Sequence, residues 1–229
     1  MASDALSEIF ADCSAVMFDF DGPICDVFAG MPADRIACSL ASIVEAHDST
    51  LGAKAHQTDD PIEVLRLSQQ GGPALLKTVE EALIASEVAA VAIAGLPTAG
   101  AIESLRAAHE SGRKVAVVSN NSGECVQKFL LLHGLADLVQ EVVGRPEHHP
   151  ELMKPSPHLL IKASRALNAS PLRCLLIGDS VTDIQAARAA GTPAIGYANK
   201  PHKDQTLSEA GANAVITDMH SVATTLSQV

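Results

Sequence analysis

Apolar residues fall into two patterns that occupy different stretches of the chain. Short continuous apolar runs, the mark of strands buried on both faces, occur at residues 15–20 (AVMFDF), 114–119 (KVAVVS) and Cys174–Gly178 (CLLIG). Residues 138–143 form a weaker run, and residues 193–197 and 214–217 form short ones. Between these runs, apolar positions recur at helical spacing. Helices are predicted over Ala101–Glu110, with Thr98 as N-cap, and over residues 124–133, stopped by Gly134. Two more are predicted over residues 157–167, capped by Ser156, and over Val181–Ala190, stopped by Gly191. Helix alternating with strand implies parallel strands joined by right-handed crossovers. The expected fold class is therefore α/β, with a doubly wound, Rossmann-like parallel sheet.

The stretch from residue 24 to residue 94 reads differently. Ile36, Leu40, Ile43 and Val44, then Leu75, Leu76, Val79 and Leu83, keep helical spacing, and loop signals interrupt at residues 48–52, 59–61 and 71–73. Three or four helices and no strand are predicted. Such a stretch cannot join the sheet, so it reads as an inserted helical cap of residues 24–95 on a core of residues 1–23 and 96–229. Gly or Pro marks both crossings, near residues 22–24 and 95–97. Hinges there predict a lid that closes on its ligand, with Phe28 and Arg35 above it.

Composition narrows the class of protein. Hydrophobic residues make up 47% of the 229, aromatics only 3%, and there is no Trp. The core must be built from Ala, Val, Leu and Ile. The net charge of −11 repels nucleic acid and anionic membrane surfaces, so neither is an expected partner. It also repels a phosphorylated ligand unless a local cation or aimed backbone N–H groups reverse the field. The cysteines, five in number, include no C-x-x-C pair, which fits reduced thiols in a cytoplasmic protein. Residues 1–14 hold Asp4, Glu8 and Asp12 and no basic residue, unlike a secretion leader. No apolar run reaches the ~18 residues of a membrane span. Oligomeric state leaves no mark.

Ligands of an open parallel sheet bind beyond the carboxyl ends of its strands. The first strand ends in Asp19-Phe20-Asp21-Gly22, the second in Ser119-Asn120-Asn121, and a later one in Gly178-Asp179-Ser180, followed by Asp183. Lys154 lies in the loop before a helix. Asp19 and Asp21, two apart, point to one side of an extended segment. With Asp179 near, mutual repulsion demands protons or a cation. Hard oxygen ligands suit Mg²⁺. Ser119 and Asn120 lead into a helix N-terminus, where a hydroxyl and backbone N–H groups can hold phosphate, and Lys154 can add positive charge.

These segments resemble the haloacid dehalogenase-like superfamily. The matching motifs are DFDGP at 19–23, VVSNN at 117–121, MKPSP at 153–157 and IGDSVTD at 177–183, in the family's order, with a helical insert where its first class of cap sits. The resemblance implies a Mg²⁺-dependent phosphatase acting on a small phosphorylated metabolite through an aspartyl-phosphate. It makes Asp19 the nucleophile and Asp21 the acid/base. Ser119, Asn120 and Lys154 would bind phosphate. The metal would be held by Asp19, the backbone carbonyl of Asp21 and Asp179, with Asp183 in the outer shell. Pro23 departs from the commoner Thr or Val. Gly178 stands where some mutases of the superfamily carry an acidic residue, which leans towards a phosphatase.

Other readings attach to several of these residues. Ser180 and Asp183 also spell a capping box, and so do Asn121 and Glu124, which makes Asn121 structural. His148 and His149 read as a solvated loop rather than a metal pair, and Arg35 and Arg66 as surface arginines within reach of a second anionic group. The rival functions are a sugar-phosphate mutase, a phosphonate hydrolase, which needs a cap lysine such as Lys54 or Lys77, and a non-catalytic binding protein. A dehalogenase is disfavoured, because halide departure does not need the proton Asp21 supplies.

Overall fold

The structure is a computed structural model that describes residues 2–228. In chain order the elements are α1 (Ala2–Ala11), β1 (Ala15–Phe18), α2 (Ala33–His47), α3 (Ser49–Ala55), α4 (Pro61–Ser68), α5 (Pro73–Val91), α6 (Ala101–Glu110), β2 (Lys114–Val118) and α7 (Gly123–Leu132). They continue with β3 (Glu141–Val143), α8 (His158–Ala166), β4 (Cys174–Gly178), α9 (Val181–Ala190), β5 (Ala194–Tyr197), α10 (Lys203–Ala210), β6 (Ala214–Ile216) and α11 (His220–Leu226). The six strands form one sheet in the order β3-β2-β1-β4-β5-β6. Every pairing is parallel.

Strand parity separates the two faces. Val16, Phe18, Val117 and Ile177 point to one side, where they bury Leu105 of α6, Phe129 of α7 and Val222 of α11. Ala15, Met17, Ala116 and Leu176 point to the other, against Leu160 of α8, Ile184 of α9 and Leu207 of α10. All four residues of β1 are buried, as a strand covered by helices on both faces must be. Its run of apolar residues without alternation follows from that burial.

The insert has a core of its own. Leu40 and Val44 of α2, Val64 and Leu65 of α4, and Val79 and Leu83 of α5 are buried together. The end of α5 leaves that cluster, since Ala90 and Val91 pack into the sheet's core. One helix is thus shared by both bodies. The two chain crossings are tied as well. Thr98 N donates to Ile24 O at 2.9 Å, and Thr98 Oγ1 donates to Gly22 O at 2.7 Å.

That role replaces the one predicted for Thr98, because the residue capping α6 is Gly100. The cap of α7 is Ser122, whose hydroxyl accepts from Cys125 N at 3.3 Å. It displaces the pairing of Asn121 with Glu124. The capping box of Ser180 and Asp183 is present on α9. Helices α1, α10 and α11 were not anticipated. Helix α10 (KDQTLSEA) buries only Leu207, so it carries no stripe to read.

Phe129 is fully buried, and its ring meets Phe20 edge to face at a centroid distance of 5.4 Å. Phe129→Ala is expected to lower stability by about 3–5 kcal/mol. Leu96→Ala, at 85% exposure, is expected to stay within about 0.5 kcal/mol. Urea unfolding of both variants checks the pair.

Candidate active site

Strand β1 sits between β2 and β4, where the strand order reverses and a crevice opens at the carboxyl edge. Asp19 and Asp21 follow β1, Ser119 and Asn120 follow β2, Asp179 follows β4, and Lys154 comes from the loop after β3. All six line one cavity of ≈ 250 Å³. Residues 135 positions apart, such as Asp19 and Lys154, meet there because parallel strands end on one side.

Lys154 is the centre of the arrangement. Its side chain is 3% exposed, and Nζ lies 2.7 Å from Asp19 Oδ1 and 2.5 Å from Asp183 Oδ1. It also donates to Val118 O at 3.1 Å. Burial opposes its charge, but the carboxylates of Asp183 and Asp19 outweigh burial, and its pKa rises above the ordinary lysine value. Asp19 is 6% exposed. Burial first, then the charge of Asp183, pushes its pKa well above the usual range, with Lys154 opposing and Asp179 adding to the rise.

Asp21 lines the same cavity but bonds to neither Asp19 nor Lys154. Its Oδ1 accepts from Val27 N at 3.0 Å. Burial, with help from Asp179 and Asp26, raises its pKa to about 6, against the Val27 N–H and Lys200. A carboxyl with such a pKa can hold and release a proton near neutral pH.

Asp19, Asp179 and Asp183 each place a carboxylate oxygen within 4.8 Å of the others. An all-oxygen, hard donor set of this kind fits Mg²⁺. The approach depends on two glycines. A Cβ at Gly22, where φ is +100°, would lie 2.5 Å from Asp179 Cγ. A Cβ at Gly178 would lie 2.5 Å from Asp183 Cβ. No side chain fits at position 178, acidic or otherwise, while Asp183 stands where it does.

Ser119 is 1% exposed. Its hydroxyl accepts from Asn121 N and donates to Asn121 Oδ1, both at 3.1 Å. Asn120 uses its whole carboxamide on the Lys154 backbone, accepting from Lys154 N at 2.8 Å and donating to Lys154 O at 3.2 Å. That leaves the backbone, not the side chain, of Asn120 to meet a ligand. Asp183 Oδ2 is held by the Ser180 hydroxyl at 2.6 Å.

The cap wall of the cavity holds Phe28, Asp60, Glu63 and Arg66. Arg66 Nη2 donates to Lys154 O at 2.8 Å, so the cap touches the loop that carries Lys154 directly. Arg35 does not line the cavity and is exposed. His148 and His149 do not form a pair. His148 Nδ1 is 2.9 Å from Glu80 Oε2, and His149 Nδ1 is 2.8 Å from Glu151 Oε1.

Two residues that pattern reading missed hold Asp179. Asn199 Nδ2 donates to Asp179 Oδ2 at 3.0 Å, and Lys203 Nζ lies 2.5 Å from the same oxygen. Both follow β5, at the same edge of the sheet. The strand-end rule that found the others would have found them had it been extended to that strand.

A family model described as haloacid dehalogenase-like hydrolase matches residues 13–191. The pyrophosphatase PpaX of Halalkalibacterium halodurans is 35% identical over 104 residues, 44% of this chain and 47% of that protein. The phosphoglycolate phosphatase of Thiobacillus denitrificans is 30% identical over 133 residues, 58% of each chain. The chain thus spans about half the length of the curated relatives it matches. Among solved structures, CbbY from Rhodobacter sphaeroides in complex with phosphate is 18% identical with a TM-score of 0.64, over 91% of this chain and 95% of that one. A HAD family hydrolase from Deinococcus radiodurans with bound phosphate and sodium is 24% identical with a TM-score of 0.56, over 91% and 93%. At these identities the likeness is one of fold.

Removing Lys154 leaves two buried carboxylates without their cation. Lys154→Met is expected to cost about 3–5 kcal/mol in metal-free buffer, as for a broken buried ion pair. Lys203→Met is expected to cost less, since that lysine is 26% exposed. Urea unfolding in the presence of a chelator gives the comparison.

Proposed function

The chain belongs to the haloacid dehalogenase-like hydrolase family, and on that footing we propose that it is a Mg²⁺-dependent phosphatase of a small phosphorylated metabolite. The observation that carries the reading is the Asp19 carboxylate at the end of the central strand, 2.7 Å from buried Lys154 and beside Asp179 and Asp183. Similarity to phosphatases named for phosphoglycolate and pyrophosphate supports the same class of reaction. The proposed division is a core of residues 1–23 and 96–229 and a cap of residues 24–95, in a cytoplasmic protein. No helix among the described residues is long and apolar enough to cross a membrane.

In this reading Asp19 attacks phosphorus and forms an aspartyl-phosphate as the P–O bond to the leaving group breaks. Lys154 orients the Asp19 carboxylate through Oδ1 and then offers its charge to the phosphoryl oxygens. The Ser119 hydroxyl accepts from the Asn121 N–H, and in this reading its proton turns from Asn121 Oδ1 to a phosphate oxygen when the ligand binds. The Asn120 N–H is a second donor on that side. Asp21 gives its proton to the departing oxygen. In the second step it takes one from the water that attacks the aspartyl-phosphate, which returns free Asp19 and inorganic phosphate. Asp19, Asp179 and the backbone carbonyl of Asp21 would hold Mg²⁺, with Asp183 in the outer shell. When bound, the metal supplies charge neutralisation at the phosphate.

The rival readings fit less well. A phosphonate hydrolase needs a cap lysine, and neither Lys54 nor Lys77 lines the cavity. The acidic residue that some mutases carry before the metal-binding Asp has no room at position 178. Of the cap residues expected near the ligand, Phe28 and Arg66 line the cavity and Arg35 does not, so in this reading Phe28 and Arg66 contact the leaving group.

A panel of phosphorylated metabolites, assayed with Mg²⁺ and with a chelator, tests the proposal. Phosphate release that the chelator stops is expected. No release from any member, together with phosphate binding, would favour the binding-protein reading. Asp19→Asn is expected to reduce turnover by at least ~10³-fold, about 4 kcal/mol in barrier, with unchanged circular dichroism. Activity within ~10-fold of wild type would remove Asp19 as nucleophile. Asp179→Ala is expected to raise the Mg²⁺ concentration for half-maximal activity by ~10-fold or more. An unchanged Mg²⁺ dependence would place the metal elsewhere.

A further inference from the structure

A second cluster of charges lies behind the cavity, where no catalytic step uses it. Glu80 and Glu87 stand two turns apart on α5 and are 2% and 0% exposed. Between them lies Arg145, from the loop after β3, whose side chain is 1% exposed. Arg145 Nη1 donates to Glu87 Oε1 at 2.9 Å, and Nη2 to Glu87 Oε2 at 3.2 Å, a two-pronged pairing. Its Nε donates to Glu80 Oε1 at 3.3 Å. The His148 N–H donates to Glu80 Oε2 at 2.7 Å.

The cluster does more than neutralise itself. Glu87 Oε2 accepts from Ser122 N at 3.0 Å, and Glu87 Oε1 from Asn121 Nδ2 at 3.2 Å. Arg145 Nη1 also donates to Asn120 O at 2.9 Å, and Arg145 N to Asn121 O at 2.8 Å. Three consecutive residues after β2 are therefore held by one ion pair. Asn121 in turn carries Ser119, and the Asn120 side chain carries the Lys154 backbone.

Buried ion pairs contribute little net stability compared with apolar residues of the same volume. A pair that served only to dock α5 could be apolar. This one aims its remaining donors and acceptors at the loop that precedes α7. We propose that Glu87 and Arg145 are positioning residues, which hold residues 119–122 in the shape that receives phosphate, with α5 as a fixed bracket. The inference rests on the phosphatase reading for the identity of the ligand. It also alters the lid expected from the crossings near residues 22–24 and 95–97. The helix that leads to the second crossing is fastened to the core at Glu80 and Glu87.

The test uses inorganic phosphate with Mg²⁺ as the probe, so it needs no substrate. Glu87→Ala risks a failure to fold, so Glu87→Gln, which keeps the shape, is the main variant. Glu80→Gln is the comparator, because Glu80 is as deeply buried but bonds no residue of 119–122. In Glu87→Gln the phosphate dissociation constant, measured by calorimetry, is expected to rise by ~10-fold or more. Hydrogen exchange over residues 119–125 is expected to quicken. In Glu80→Gln the thermal midpoint is expected to fall while the phosphate constant stays within ~3-fold. Unchanged phosphate binding in Glu87→Gln, or equal weakening in both variants, would reduce the cluster to a structural contact and overturn the proposal. Wild-type protein that binds no phosphate would overturn the phosphatase reading instead. Exchange over residues 119–125 would then decide the clamp alone, upheld if faster in Glu87→Gln and overturned if unchanged.

Discussion

Lys154 is a single ammonium group between two carboxylates in a place almost closed to water. Asp19 and Asp183 flank it at 2.7 and 2.5 Å, and Asp183 is wholly buried. Bringing three acidic residues together at the end of a sheet is unfavourable unless positive charge comes with them. Lys154 supplies part of it within the chain, and Lys203 supplies another part at Asp179. The chain as a whole carries a charge of −11, so the positive potential a phosphate needs exists only locally. The surrounding structure keeps these few cations in register with the carboxylates.

Several features of the fold follow from that constraint. The small volume at Gly22 and Gly178 lets Asp179 and Asp183 close in on the first strand. The capping box on α9 holds Asp183 by its other oxygen, which leaves Oδ1 facing Lys154. Asn120 fixes the backbone of Lys154 from one side, and Arg66 of the cap reaches it from another. Each contact limits where the ammonium can sit. A charge network with this many partners is specific in geometry, and removal of any one partner leaves another group unsatisfied.

The cap is joined to this machinery by more than its two chain crossings. Helix α5 contributes apolar residues to its own bundle and to the sheet's core, and its two buried glutamates grip Arg145. The wall it helps support carries Phe28, Asp60, Glu63 and Arg66 towards the cavity. The position of the cap-side wall of the cavity is therefore set by buried charge as well as by packing.

The sequence by itself determined the sheet, the helical insert and the residues at the strand ends. Buried strands leave apolar runs, helices leave a 3.6-residue period, and an open parallel sheet gathers its strand-end residues at one edge. Asp19, Asp21, Ser119, Lys154 and Asp179 were legible for those reasons, and all five line one cavity. Tertiary structure alone decided what depends on distance between separate segments. Thr98 looked like a helix cap and proved to tie the two crossings, because Gly22 O lies within its reach. Arg35 looked as well placed as Arg66, but only one of the two faces the cavity. Glu80, Glu87 and Arg145 gave no motif. Two glutamates seven residues apart on an apolar helix hint at a buried partner, and nothing in the linear order says that the partner lies 58 residues beyond Glu87. Local pattern records which surface an element buries. It does not record which charge from elsewhere will be buried against it.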